Sequence, residues 1–199
     1  MTTGHGSPRQ SDLAGTPGLG VMLGRRTFAG RLLSSYVIAT AVLVPGISKA
    51  QGDVQIDKVR ASMAALKAKT AQLGAPKVEG SDPVAGKDVP ALHFGTSKMN
   101  NFFDVVDEVA KEHGGTATLF VKAGDEYVRV ATNVKKSDGS RAIGTILDPN
   151  GPAIAMIQKG DAYYGEASIL GKSYITGYEP IRDTSGTVIG IYYVGYIKG

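Results

Sequence analysis

Between Ala117 and Tyr196 the chain is built of short runs of β-branched and aromatic residues broken by glycine turns, a punctuation that leaves few folds open. Strands are predicted over Thr116–Lys122, Tyr127–Val134, Tyr163–Leu170, Ser173–Ile181 and Thr187–Tyr196. The links Ala123-Gly124-Asp125, Gly171-Lys172 and Asp183-Thr184-Ser185-Gly186 are short and carry hairpin residues, so the strands they join run antiparallel. The remaining link, Lys135 to Ala162, holds a short helix around Pro152–Gln158 and must cross a face of the sheet.

Two helices are expected ahead of these strands. Ile56, Val59, Met63, Leu66, Thr70 and Leu73 repeat at spacings of three and four, with Asp53 placed to cap the start and Gly74-Ala75-Pro76 to stop the run. So narrow a stripe suits either a dimer seam or one flank of the chain's own sheet. The second helix is expected from about Asn101 to His113, with Phe102, Val105, Val106, Val109 and Ala110 on its apolar side and Gly114-Gly115 ending it. Between them, residues 76–90 are rich in Gly, Pro and charge and read as a linker, with Val89–Leu92 a short extended piece. The prediction is an α+β domain: a five-stranded antiparallel sheet with a long N-terminal helix (51–75), its core over 91–199.

Charge divides the chain sharply. The formal charge is +4, yet Arg9, Arg25, Arg26, Arg31 and Lys49 face only Asp12 within residues 1–50, and the rest of the chain balances acid against base. A neutral body has no broad field for a phosphate backbone, which argues against nucleic acid as a partner. The basic segment has the anatomy of an export signal. Arg25-Arg26 precede an apolar run from Leu32 to Val44, then Pro45-Gly46 and Ser48-Lys49-Ala50, with cleavage expected after Ala50. The expected location is therefore periplasmic. The alternative is an uncleaved anchor, for which the apolar run falls short of the roughly 20 residues of a spanning helix. Arg25-Arg26-Thr27-Phe28 resembles the twin-arginine signature, whereas Gly24 and Ala29-Gly30 depart from it, so both export routes stay open. Residues 1–21 are rich in Gly, Ser, Thr and Pro and are expected to be disordered, and Met22 is an alternative start.

Several kinds of chemistry find no support. There is no cysteine, and His93 and His113 lie far apart without a metal spacing, so neither a thiol nor a metal site is expected. No Gly-rich phosphate loop follows a strand and no nucleophile sits at a strand-to-helix elbow; neither a cofactor nor catalysis is expected. Asp107 and Glu108 are expected to face water.

What remains is a binding face. In the second strand Val128, Val130, Thr132 and Val134 are expected on one side, and Tyr127, Arg129, Ala131 and Asn133 on the other. In the fourth strand Tyr174, Thr176 and Tyr178 share a side, and with Tyr164 of the third strand they would form a half-polar pocket under the crossover. Arg129 and Arg141 are the candidate charges in it, since a guanidinium matches a small organic carboxylate. Gly144-Thr145 and Gly165 are candidates for backbone approach to a ligand. The alternatives are an ion pair of Arg129 with Asp125 or Glu126, an Arg141 that organises its own Asp138-Gly139-Ser140 turn, and tyrosines that plug the core.

The segments TLFVKAGDEYVR (118–129), SDGSRAIGT (137–145), YYGEASILGKSYITGYEPI (163–181) and VIGIYYVGY (188–196) resemble the Cache 3/Cache 2 fusion family. These are extracytoplasmic ligand-binding domains best known as the sensory part of bacterial chemoreceptors. The resemblance covers about half of the chain and thins out toward Val89. It implies a PAS-like Cache fold, a small-molecule ligand and a role in signal transduction or chemotaxis, with the N-terminal helix often at a homodimer interface. Because no second apolar span or output domain is evident before Gly199, a membrane receptor, kinase or transporter is the expected signalling partner.

Overall fold

The computed structural model describes residues 47–198, with side chains from Gln55 onward. Residues 1–46 of the expected leader therefore lie outside the described residues. The helix α1 (Ile47–Leu73) is followed by strands β1 (Pro76–Val84), β2 (Lys87–Phe94) and β3 (Ser97–Lys98), then helix α2 (Asp104–His113). Next come β4 (Thr116–Ala123), β5 (Glu126–Thr132), helix α3 (Pro152–Gln158), β6 (Tyr163–Ile169), β7 (Lys172–Arg182) and β8 (Val188–Ile197). The last five strands form one antiparallel sheet in the order β5-β4-β8-β7-β6, within about two residues of the strands expected from the glycine punctuation.

The linker expected over 76–90 is a hairpin instead. β1 and β2 pair antiparallel from Pro76–Phe94 to Val84–Lys87, and β3 completes a second, three-stranded sheet. Glycine, proline and charge misled here because β1 is an edge strand with six of its nine residues exposed. An edge tolerates Pro83, and a bulge between Val78 and Ser81 absorbs Gly80. The turn is Ala85-Gly86, both at positive φ, the backbone of a two-residue hairpin, with alanine where asparagine or aspartate is usual. The hairpin buries Val84, Val89, Leu92 and Phe94 in the core shared with α1, α2 and the large sheet.

α2 starts at Asp104, later than expected, because Asn101 sits at φ 59° in a turn, and Phe102 is exposed rather than core. Val105, Val106 and Val109 are the residues it buries. The α1 stripe is filled from within the chain. Val59, Met63, Leu66 and Thr70 are at most 1% exposed, and α1 packs on α2, β7 and β8. Thr70 returns its hydroxyl to the carbonyls of Leu66 and Lys67, so this polar member of the stripe is satisfied in place. These four residues thus flank the domain's own core, while Ile56 and Leu73 at the ends of the stripe stay partly exposed. α1 begins before Asp53, which lies inside the helix rather than at its cap.

The large sheet separates two cores. One face carries α1, α2 and the hairpin; the other packs Phe120, Tyr127, Tyr178, Ile191 and Tyr193 against α3 and the crossover. Truncating Leu66 to alanine should cost about 2–5 kcal/mol of stability, since the side chain is wholly buried. Urea unfolding is the measurement, with sedimentation showing the same oligomeric state as the wild type. Wild-type stability with a smaller assembly would mean that the stripe serves a second copy instead.

Candidate ligand-binding site

The crossover after β5 turns back along that strand and pairs with it. Ala142 N–H donates to the Val134 carbonyl, Gly144 N–H to Arg129 O, and Leu147 N–H to Tyr127 O, while Arg129 N–H donates to Thr145 O, each at 2.9 Å. These bonds cover the β5 edge and hold the crossover over the α3 side of the sheet. Beneath it lies a cavity of about 230 Å³ whose lining includes Arg129, Tyr178, Asp148, Ala153, Ala167 and Leu170. It is smaller than the roughly 300–1,000 Å³ of drug-sized sites.

A bulge decides which side chains face it. The β4–β5 register shifts between Leu119 and Phe120: Leu119 pairs with Ala131, whereas Phe120 pairs with Arg129, leaving Val130 as the extra residue. The strict alternation expected for β5 therefore breaks in mid-strand. Val128, Val130 and Ala131 belong to the α1-side core, while Tyr127 and Val134 pack on the α3 side with Arg129. Thr132, with its hydroxyl 2.6 Å from that of Thr118, follows the same shift.

Arg129 is 4% exposed and stacks its guanidinium over the Phe120 ring at 4.9 Å. Nη1 donates to Thr145 Oγ1 at 2.6 Å and reaches Ile146 O at 3.4 Å. Thr145 can accept because its own hydroxyl proton goes to Ala142 O at 2.7 Å. Nε is buried with no partner, and no carboxylate lies within ion-pair distance among the described residues. The expected alternative, an ion pair with Asp125 or Glu126, does not form. Burial pulls the Arg129 pKa down, while the neighbouring Tyr178 and Tyr193 hydroxyls oppose that shift. An arginine nonetheless stays charged.

Tyr178 is 1% exposed and continues a row of rings, with centroids 5.0 Å from Tyr193 and 6.2 Å from Tyr163. Burial pushes its pKa up, which keeps the phenol neutral and able to donate. Thr176 and Tyr174 share its face of β7. Thr176 is buried and gives its hydroxyl proton to Gly165 O at 2.8 Å, and half-buried Tyr174 packs beside that core. Neither lines the cavity.

The other two expected site residues lie elsewhere. Arg141 forms a two-pronged ion pair with Asp107 of α2, at 2.8 and 2.6 Å, and also donates to Thr132 O. Its guanidinium lies 4.4 Å from the Phe103 ring centroid, and the carboxylate raises its pKa. Arg141 is thus a clamp between crossover and α2; Asp107 is its partner rather than a solvated charge, and the Ser140–Asp138 turn closes without it. Tyr164 is on the α1 side of the sheet, donating to Glu179 beneath Arg60, because it is one residue out of phase with Tyr163 and Tyr178. The backbone donors of Gly144 and Thr145 are spent on Arg129 O and Ala142 O; Gly144 is glycine because a Cβ there would meet the Cβ of Ala85 at 2.4 Å. Sequence reasoning missed Phe120, Asp148 and the Ala167–Gly171 hairpin as parts of the lining or its support, and named Thr145 for its backbone where the structure uses its hydroxyl. The β6–β7 pairing that was legible could have placed that hairpin opposite α3.

The chain matches the Cache 3/Cache 2 fusion domain family over residues 37–198. It belongs to that family. Cache domains are extracytoplasmic, sense small molecules and usually sit in membrane receptors; theirs is not a family of enzymes. No curated protein matches this chain significantly.

Proposed function

We propose that this Cache domain is an exported, PAS-like sensor that binds a small organic carboxylate against Arg129 and reports it, by way of its long N-terminal helix, to a membrane receptor, kinase or transporter. Signal transduction or chemotaxis is the setting we infer. One observation carries the ligand class: a buried guanidinium with no carboxylate at ion-pair distance among the described residues borders a cavity of small-molecule size. Nη1 is occupied by Thr145 and Ile146, which leaves Nε and Nη2. Their N–H groups lie along one edge of the plane and form the fork that a carboxylate fits. Tyr178 supplies a neutral hydroxyl beside it.

The affinity this site can reach follows from size. For an acid of about six heavy atoms, the ceiling of roughly −1.5 kcal/mol per atom allows about −9 kcal/mol, so micromolar binding is within reach. At a hundredfold excess over Kd the fold gains about 2.7 kcal/mol. That is roughly 5–10 °C in melting temperature for a domain of this length.

A melting screen of short carboxylates, amino acids and amines should show that shift with carboxylates. Arg129→Gln should lose it, whereas Arg141→Gln should melt lower without ligand and keep it. A response to amines alone, or a shift retained in Arg129→Gln, would overturn the reading. Export is tested separately. Protein from a periplasmic extract should begin at Gln51 by mass spectrometry; recovery only from membranes with the apolar run intact would mean an anchor.

A further inference from the structure

The ionisable side chains lining the cavity are Arg129, Tyr178 and Asp148. Arg129 and Tyr178 are buried, and Asp148 is exposed. The cavity thus has a cation and a neutral phenol at its closed end and a carboxylate at its mouth. We propose that Asp148 is a specificity residue: it limits the site to acids that bring a single carboxylate and turns away dicarboxylates of the same length. This rests on the reading of Arg129 as the carboxylate anchor.

The local geometry fixes Asp148 in place. Its Oδ1 accepts the Asn150 N–H at 2.9 Å, and Gly151 N–H donates to its carbonyl at 3.2 Å. The turn Asp148-Pro149-Asn150-Gly151 leads directly into α3, and Gly151 keeps the loop tight, since a Cβ there would lie 3.3 Å from the Asp148 Cβ. Oδ2 has no partner among the described residues. A side chain held in this way carries its charge at one spot on the rim.

A ligand anchored on Arg129 extends toward that rim, because the closed end is filled by the Phe120, Tyr178 and Tyr193 rings. The walls it passes carry Ile146 and Leu147 from the crossover and Ala167 and Ile169 from β6, with Ser168 beside them. An aliphatic tail is accommodated there. A second carboxylate would meet the Asp148 charge, with no second cation among the lining residues to receive it. Like charges brought together across a partly desolvated gap cost binding, and discrimination built on repulsion needs only one such residue.

The test uses the mature domain and pairs of straight-chain acids matched in length, a monocarboxylate and an α,ω-dicarboxylate of four or five carbons, at neutral pH in isothermal titration. Wild type should favour the monocarboxylate by about tenfold. Asp148→Asn keeps the Asn150 contact, because the amide oxygen still accepts, and should close most of that gap, because the dicarboxylate, whose second charge lies nearest the rim, gains more affinity than the monocarboxylate. Raising the salt concentration should narrow the gap in wild type, since an exposed charge is screened. Equal affinities for both acids in wild type, or an unchanged ratio in Asp148→Asn, would overturn the role of Asp148 and leave the Arg129 anchor standing. If no carboxylate binds wild type, the anchor itself fails.

Discussion

The return of the crossover along β5 is the constraint on which the site depends. Backbone bonds at Ala142, Gly144, Thr145 and Leu147 dock the segment on the strand edge. With that pairing made, Thr145 stands over the Arg129 guanidinium, Asp148 arrives at the mouth, and α3 begins where it can close the α3-side core. An exposed edge strand would otherwise be an aggregation hazard, so one set of bonds covers the edge and roofs the cavity. The Arg141–Asp107 fork ties the same segment to α2, and the tip of the β1–β2 hairpin meets it at Gly144. The crossover is therefore held from three directions, although it has little regular structure between β5 and α3.

That arrangement explains which parts of the fold were legible in the residues. Strand alternation and glycine turns are local, and they placed the five strands of the large sheet closely. The hairpin over Pro76–Phe94 was hidden because an edge strand with its side chains in water has the composition of a loop. Val78 still alternates with Lys77 and Glu79 there, but Gly80 and the bulge interrupt the period. In the same way, a spacing of three and four identified α1 as a one-sided helix without saying what covers the stripe. Only the tertiary structure shows Met63 and Leu66 buried on a helix that packs against α2, β7 and β8.

The site was partly legible, and its losses have physical causes. Arg129, Tyr178, Thr176 and Tyr174 share a face because their strands alternate as expected up to the point of use. Tyr164 fell on the far face by one residue of phase. Arg141 had the right chemistry, but its partner is a carboxylate 34 residues earlier in the chain, on a helix, and no local rule pairs them. The β5 bulge is equally invisible in the sequence, since Val130 and Ala131 are both small enough to occupy the α1-side core.

The energetic logic of the domain converges on Arg129. Burying a cation without a counter-charge at ion-pair distance is unfavourable, and even a buried ion pair is often replaced by apolar residues of similar volume with no loss, or a gain of about 1–4 kcal/mol. Residues that serve binding frequently sit in positions that cost the fold stability. If Arg129 served the architecture, its loss would instead remove a bond to Thr145 and the stacking on Phe120 with nothing returned. Urea unfolding of ligand-free Arg129→Met beside the ligand-free wild type separates the two. A variant equal to or more stable than wild type, at unchanged denaturant slope, is the result this account predicts. A loss of more than about 2 kcal/mol would show that the guanidinium holds the fold together, and would contradict its being held ready for a ligand.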